Sequence, residues 1–170
     1  MSKPQNDGYF EVLIMAAGLS SRMVGEDKLL KKKNKTTMLS HVVQQAINSQ
    51  VGHVRVILGH NFEERARTLL GLPIAWHFCD DYAKGLSASI KCGLNRVSDR
   101  IDGVIISLSD MPLVTSMDYQ RLRNSYSPIN KKEICQAITE SGVRGHPVLF
   151  GKRFFKCLKQ LSGDIGGKNL

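Results

Sequence analysis

A chain of 170 residues, 42% hydrophobic and 23% charged, is long enough to bury one core and has the ordinary composition of a globular domain. It reads as a single domain over residues 1–170. No apolar run has the length needed to cross a membrane, and the polar start at residues 1–8 lacks a signal-peptide core, so no membrane partner is expected and the cytoplasm is the expected compartment. The net charge of +9 points to an anionic partner, either nucleic acid or a substrate carrying several phosphates.

The first element is a strand over residues 10–15, where Val12, Leu13, Ile14 and Met15 show no polar alternation, as in a strand buried on both faces. It stops at small residues, Ala16, Ala17 and Gly18, and the chain then offers Ser20, Ser21, Arg22, Gly25 and Lys28. Small residues there let backbone approach a ligand, while Arg22, Lys28 and backbone N–H groups supply positive charge and donors. The stretch is neither common glycine loop: the dinucleotide fingerprint needs three spaced glycines, and the Walker loop needs Gly-Lys before Ser or Thr. It reads as a phosphate cradle at the carboxyl end of a parallel strand, or else as an ordinary surface loop.

Lys31, Lys32, Lys33 and Lys35 follow. Aromatic residues are few and not interleaved with them, so a stacking platform for nucleic acid is not expected and a solvated loop is. Thr36 or Thr37 can cap a helix running to Gln50, with Leu39, Val42, Val43, Ala46 and Ile47 on its apolar side. Residues 54–58 form a second strand, Asn61 can cap a helix through Leu70 that Gly71 and Pro73 break, and residues 74–78 form a third strand. Residues 85–94 read as a helix and residues 103–108, nearly all apolar, as a central strand. A helix over residues 115–125, strands over 134–138 and 147–150, and a helix over 154–161 complete the chain. Strand and helix alternate, which predicts a three-layer α/β/α architecture around a mostly parallel, Rossmann-like sheet.

Four further stretches carry candidate chemistry. Asp110 follows the central strand directly, where a carboxylate can hold Mg²⁺ or simply make a turn before Pro112. Gly85, Ser87 and Ser89 open a helix, where they can present hydroxyls and free N–H groups to an anion, or Ser87 can be a plain N-cap. Asp80 and Asp81 just before them are structural or face a bound base. His146 lies between Gly145 and Pro147 in a defined turn, and no histidine–carboxylate pattern argues for a nucleophilic triad, so it reads as a binding or positioning residue. Asp164, between Gly163 and Gly166, reads by itself as a loop cap. Cys79, Cys92, Cys135 and Cys157 form no C-x-x-C pair, so zinc and redox motifs are not indicated and mostly buried, reduced thiols are expected.

Taken together, Ala16-Ala17-Gly18-x-Ser20-x-Arg22-Met23 with Gly25 and Lys28, then Asp110-Met111-Pro112, Gly145-His146-Pro147 and Gly163-Asp164-x-Gly166 resemble the molybdenum cofactor nucleotidyltransferases. The likeness is greater to the cytidylyltransferase branch, because the guanylyltransferase branch reads Ala-Gly-Gly where this chain has Ala16-Ala17-Gly18. Val24 adds one residue before Gly25, and the chain stops at Leu170, where the family continues through another strand and helix. The resemblance implies Mg²⁺-dependent transfer of a nucleotide from CTP, or GTP, to a molybdopterin-type acceptor, with a molybdoenzyme as eventual recipient. It implies catalytic roles for Arg22, Lys28 and Asp110 and a nucleotide pocket of Ala16, Ala17, Gly18, Ser20, Arg22, Lys28, Gly85, Ser87 and Ser89. Asp110 would lie at the metal, with Asp164 as a second metal-side carboxylate or an acceptor contact, and His146 near the acceptor. The alternatives are a sugar- or polyol-phosphate acceptor, or a basic module that binds RNA without catalysis.

Overall fold

The computed structural model describes residues 8–19, 27–33, 35–130, 133–139 and 141–163. Its strands are β1 (Phe10–Ala16), β2 (Lys32–Lys33), β3 (Thr36–Thr37), β4 (Gly52–Leu58), β5 (Ala75–Phe78), β6 (Gly103–Leu108), β7 (Ile134–Ile138) and β8 (Arg144–Gly151). Its helices are α1 (Met38–Asn48), α2 (Phe62–Arg67), α3 (Leu86–Leu94), α4 (Ser116–Ser125) and α5 (Phe155–Gln160). Six strands form one sheet in the order β5-β4-β1-β6-β8-β7. The first four in that order are parallel, and β8 runs antiparallel to both β6 and β7.

β1 occupies an interior place in the sheet, and its sequence explains why. Phe10, Val12, Ile14 and Ala16 face a core shared with Leu39, Val42, Val43 and Ala46 of α1 and Tyr119 and Leu122 of α4. Leu13 and Met15 face a second core with Ile90 and Leu94 of α3 and Leu158 of α5. A strand sandwiched between helix layers needs apolar residues on both faces, which an unbroken apolar run supplies. The exception is Glu11, which is buried and ion-paired with Arg55 on β4. Arg55 in turn contacts the ring of His77 on β5.

Local capping follows the sequence at α1, where the Thr37 hydroxyl accepts the Ser40 N–H at 3.2 Å. At α4 the Asp118 carboxylate accepts the N–H and the hydroxyl of Thr115, both at 2.8 Å. Elsewhere the chain departs from expectation. α2 ends at Arg67 rather than Leu70, and Asn61 does not cap it: Asn61 sits at φ 54°, and its amide donates to side chains instead. α3 is capped at Gly85, not Ser87, with φ 101° at the glycine. The lysine run, expected as a loop, forms the β2–β3 ribbon, in which Lys32 pairs with Thr37. Cys79 and Cys135 are buried, Cys92 is half-buried and Cys157 is exposed; all are free thiols. Among the described residues no helix is long and apolar enough to cross a membrane.

Candidate active site

The parallel strands β1, β4 and β6 all end at the same edge of the sheet, and the candidate chemistry collects there. Ala17 and Gly18 leave β1, while Ser109 and Asp110 leave its neighbour β6. Ser109 binds the two exits together: its hydroxyl donates to the Met15 carbonyl at 2.8 Å and its N–H to the same oxygen at 3.2 Å. Asp110 therefore starts from a fixed point. The Lys28 ammonium lies 3.5 Å from its carboxylate, with the two side chains 39% and 51% exposed. An ion pair this open contributes only about 0–1 kcal/mol to stability, so both charges can be drawn to a ligand at little structural cost.

Lys28 is placed by residues that the sequence reading did not single out. Asp27, immediately before it, accepts the Leu29 N–H at 3.0 Å and so caps the short turn Lys28–Leu30. The Asp27 carboxylate also receives Nε of Arg65 at 2.8 Å and the Asn61 amide at 3.2 Å. Arg65, fully buried, sends another nitrogen to the carbonyls of Ala16 at 2.7 Å and Gly18 at 3.0 Å. Burial alone would raise the Asp27 carboxyl, but the Arg65 guanidinium, the Leu29 N–H and the Asn61 amide together hold it below the ordinary carboxylate range. A signal for this network was present in the sequence: Arg65 stands three residues after Phe62 and four before Leu69, on the stripe that is otherwise the buried face of α2.

The other expected residues divide by position. Ala16 and Ala17 are buried, so the Ala17 methyl is not presented to open space, while its carbonyl accepts the His60 N–H at 3.1 Å. Gly18 is exposed. Ser20, Arg22 and Asp164 lie outside the described residues. Ser87 and Ser89 are buried at the start of α3, and the Ser87 N–H is taken by the Gly163 carbonyl at 3.2 Å, which brings the chain just before Asp164 to this helix end. Asp81 is ion-paired with Lys84 at 2.7 Å on the surface. His146 is half-buried on β8, whose antiparallel register with β6 sets Val148 opposite Ile106 and so carries His146 toward the end of β6 from which Asp110 emerges.

Among the described residues no three metal-ligating side chains of the His, Cys, Asp or Glu type form a cluster. One hard, half-exposed carboxylate at a strand end nevertheless fits a Mg²⁺ ion that brings most of its ligands with it, as phosphate oxygens and water.

A family model for the MobA-like NTP transferase domain matches residues 12–170. The chain belongs to this family. It is 27% identical over 172 aligned positions to the purine catabolism protein PucB of Bacillus subtilis, across 95% of this chain and 80% of PucB. It is 29% identical over 116 positions to the bifunctional protein GlmU of Agrobacterium fabrum, a match covering 66% of this chain but only 25% of GlmU. In structure it is similar to Rv0371c of Mycobacterium tuberculosis, with a TM-score of 0.81 at 25% identity over 92% of this chain and 78% of that one. The same mycobacterial protein has a solved complex with manganese, which superimposes with a TM-score of 0.76 at 23% identity over the same shares. This MobA-like chain is thus an enzyme of the nucleotidyltransferase class, with the mostly parallel sheet of its structural neighbours.

Proposed function

We propose that this MobA-like enzyme transfers CMP from CTP to the terminal phosphate of a molybdopterin-type acceptor and releases pyrophosphate. The observation that carries the reading is the meeting of Lys28 and Asp110 at the carboxyl ends of β1 and β6. An acceptor phosphate oxygen forms a bond to the α-phosphorus as the bond from that phosphorus to the bridging oxygen breaks, and pyrophosphate carries the leaving charge. Such a reaction asks the protein mainly for alignment and charge neutralisation. Lys28 would neutralise the triphosphate and the departing pyrophosphate, with Arg22 in the same role. Asp110 would hold Mg²⁺, with Asp164 as a second carboxylate; the ion, when bound, neutralises phosphate oxygens. Gly18, Ser20, Gly85, Ser87 and Ser89 would line the nucleotide pocket, and His146 would contact the acceptor.

The preference for CTP over GTP rests on Ala17 standing where the guanylyltransferase branch has glycine. Because the Ala17 methyl is buried, its influence acts through the path of the backbone rather than by touching the base. Pyrophosphate release measured with each of the four nucleoside triphosphates, against molybdenum cofactor and against sugar and polyol phosphates, tests the reading. Release with CTP and molybdenum cofactor is expected. Release only with a sugar or polyol phosphate would move the acceptor and keep the chemistry. A GTP preference would overturn the branch.

A further inference from the structure

We infer that Arg65, acting through Asp27, is a positioning residue that sets Lys28 over Asp110, an inference that rests on the nucleotidyltransferase reading of that site. The guanidinium serves two separate parts of the chain at once. One nitrogen, Nη1, takes the carbonyls of Ala16 and Gly18, where β1 ends; another, Nε, takes Asp27, where the turn carrying Lys28 begins. A planar fork of donors holds its acceptors at fixed distances and angles, which a single flexible ammonium does not. The Arg65 side chain has no exposed surface and that of Asp27 only 7%. An apolar pair of like volume would take the donor away from the Ala16 and Gly18 carbonyls and the acceptor from the Leu29 N–H, so the charge pair serves the backbone of both segments rather than packing alone.

What the pair adds is geometry. β1 is the common reference: Ser109 hangs from its Met15 carbonyl and leads into Asp110, while Arg65 hangs from its Ala16 carbonyl and leads through Asp27 into Lys28. Two tethers from adjacent residues of one strand thus fix the two charged groups that meet at 3.5 Å. Through Asp27, Arg65 acts on Lys28; through the Gly18 carbonyl it also holds backbone at the exit of β1, so Asp27 is the residue whose substitution isolates the Lys28 arm. Asn61 supports the same carboxylate from the residue that precedes α2, and its φ of 54° turns it toward Asp27 rather than into a capping role.

The test uses the full chain with Asp27→Asn, Arg65→Lys and Lys28→Ala, and the double variant Asp27→Asn/Lys28→Ala. CTP and GTP binding in the presence of Mn²⁺ is measured directly, alongside amide hydrogen exchange of Lys28 to Leu30. Asp27→Asn keeps the shape of the side chain and serves if Arg65→Lys does not fold. Asp27→Asn and Arg65→Lys are expected to weaken triphosphate binding about tenfold and to speed exchange at Lys28 to Leu30 by a larger factor than the uniform increase that lower global stability brings to β1 and β6. In the Lys28→Ala background, Asp27→Asn is expected to cost less than about twofold more, because a residue acting through Lys28 has nothing left to position. Wild-type affinity in Asp27→Asn, or an undiminished loss in the Lys28→Ala background, would overturn the inference alone. A wild-type protein that binds neither triphosphate would overturn the reading of the site and the inference with it.

Discussion

Lys28 and Asp110 compensate each other across 3.5 Å, and that fact shapes what each substitution does. On the proposed roles, Asp110→Asn is expected to lower turnover by about a hundredfold, or about 3 kcal/mol in the transition state. The thermal midpoint should stay near that of the wild type, because a half-exposed pair contributes little to stability. Steady-state pyrophosphate release together with a melting curve checks both halves. Lys28→Ala separates the two ligands. Removing an ammonium beside the carboxylate takes away about 1 kcal/mol of repulsion toward a second cation, so Mn²⁺ alone should bind up to about fivefold tighter while CTP binds more weakly. Titration followed by electron paramagnetic resonance reads the free metal directly. Weaker metal binding in Lys28→Ala would place the ion away from Asp110.

The elements at the carboxyl edge pack backbone against backbone, and Gly59, just after β4, marks the tightest approach. A Cβ there would lie 2.5 Å from Cβ and Cγ of Tyr82 and 2.8 Å from the Ala17 carbonyl. A backbone oxygen cannot retreat cheaply, so Gly59→Ala is expected to cost about 1–3 kcal/mol and to disturb the hydrogen bond from His60 to Ala17. Gly71 is the control: its φ of 81° disfavours alanine, but nothing lies within 4 Å, so only the backbone cost of about 1 kcal/mol is expected. Urea titrations of the two variants measure the difference. The same contrast shows what the sequence made legible. β1 and β6 were readable because a strand between two helix layers must be apolar throughout, and Asp110 was readable because it interrupts that pattern at the strand's end. The Arg65–Asp27 pair was legible only in part: Arg65 falls on the same stripe as Phe62 and Leu69, but nothing in that spacing points to a partner 38 positions away. The β2–β3 ribbon was hidden for a related reason: two-residue strands among lysines leave no alternation to detect.

At the scale of the whole molecule, buried charge makes stability depend on pH in two separate stages. His77 on β5 has its pKa lowered from 6.5, first by burial and then by the charges of Arg55 and Arg96. The unfolded chain therefore takes up a proton near pH 6.5 that the folded chain resists, and stability declines as pH falls from there through the lowered folded value. Asp27 acts further down. Burial opposes its ionisation, yet Arg65, Leu29 and Asn61 overcome that and lower its pKa from 3.8, so its contribution is intact above that value and is lost as pH falls through the folded one. In both windows the unfolded state binds more protons, so the two effects share a sign and add. Denaturation midpoints measured from pH 8 to pH 2.5 are expected to fall in a shallow step beginning near pH 6.5 and a second beginning near pH 4. His77→Gln keeps an acceptor for Arg55 but does not titrate, and should remove the first step and leave the second. Asp27→Asn should lower stability at neutral pH and flatten the second step, because the carboxylate that acid would protonate is already gone. A first step that survives in His77→Gln would assign it to another group.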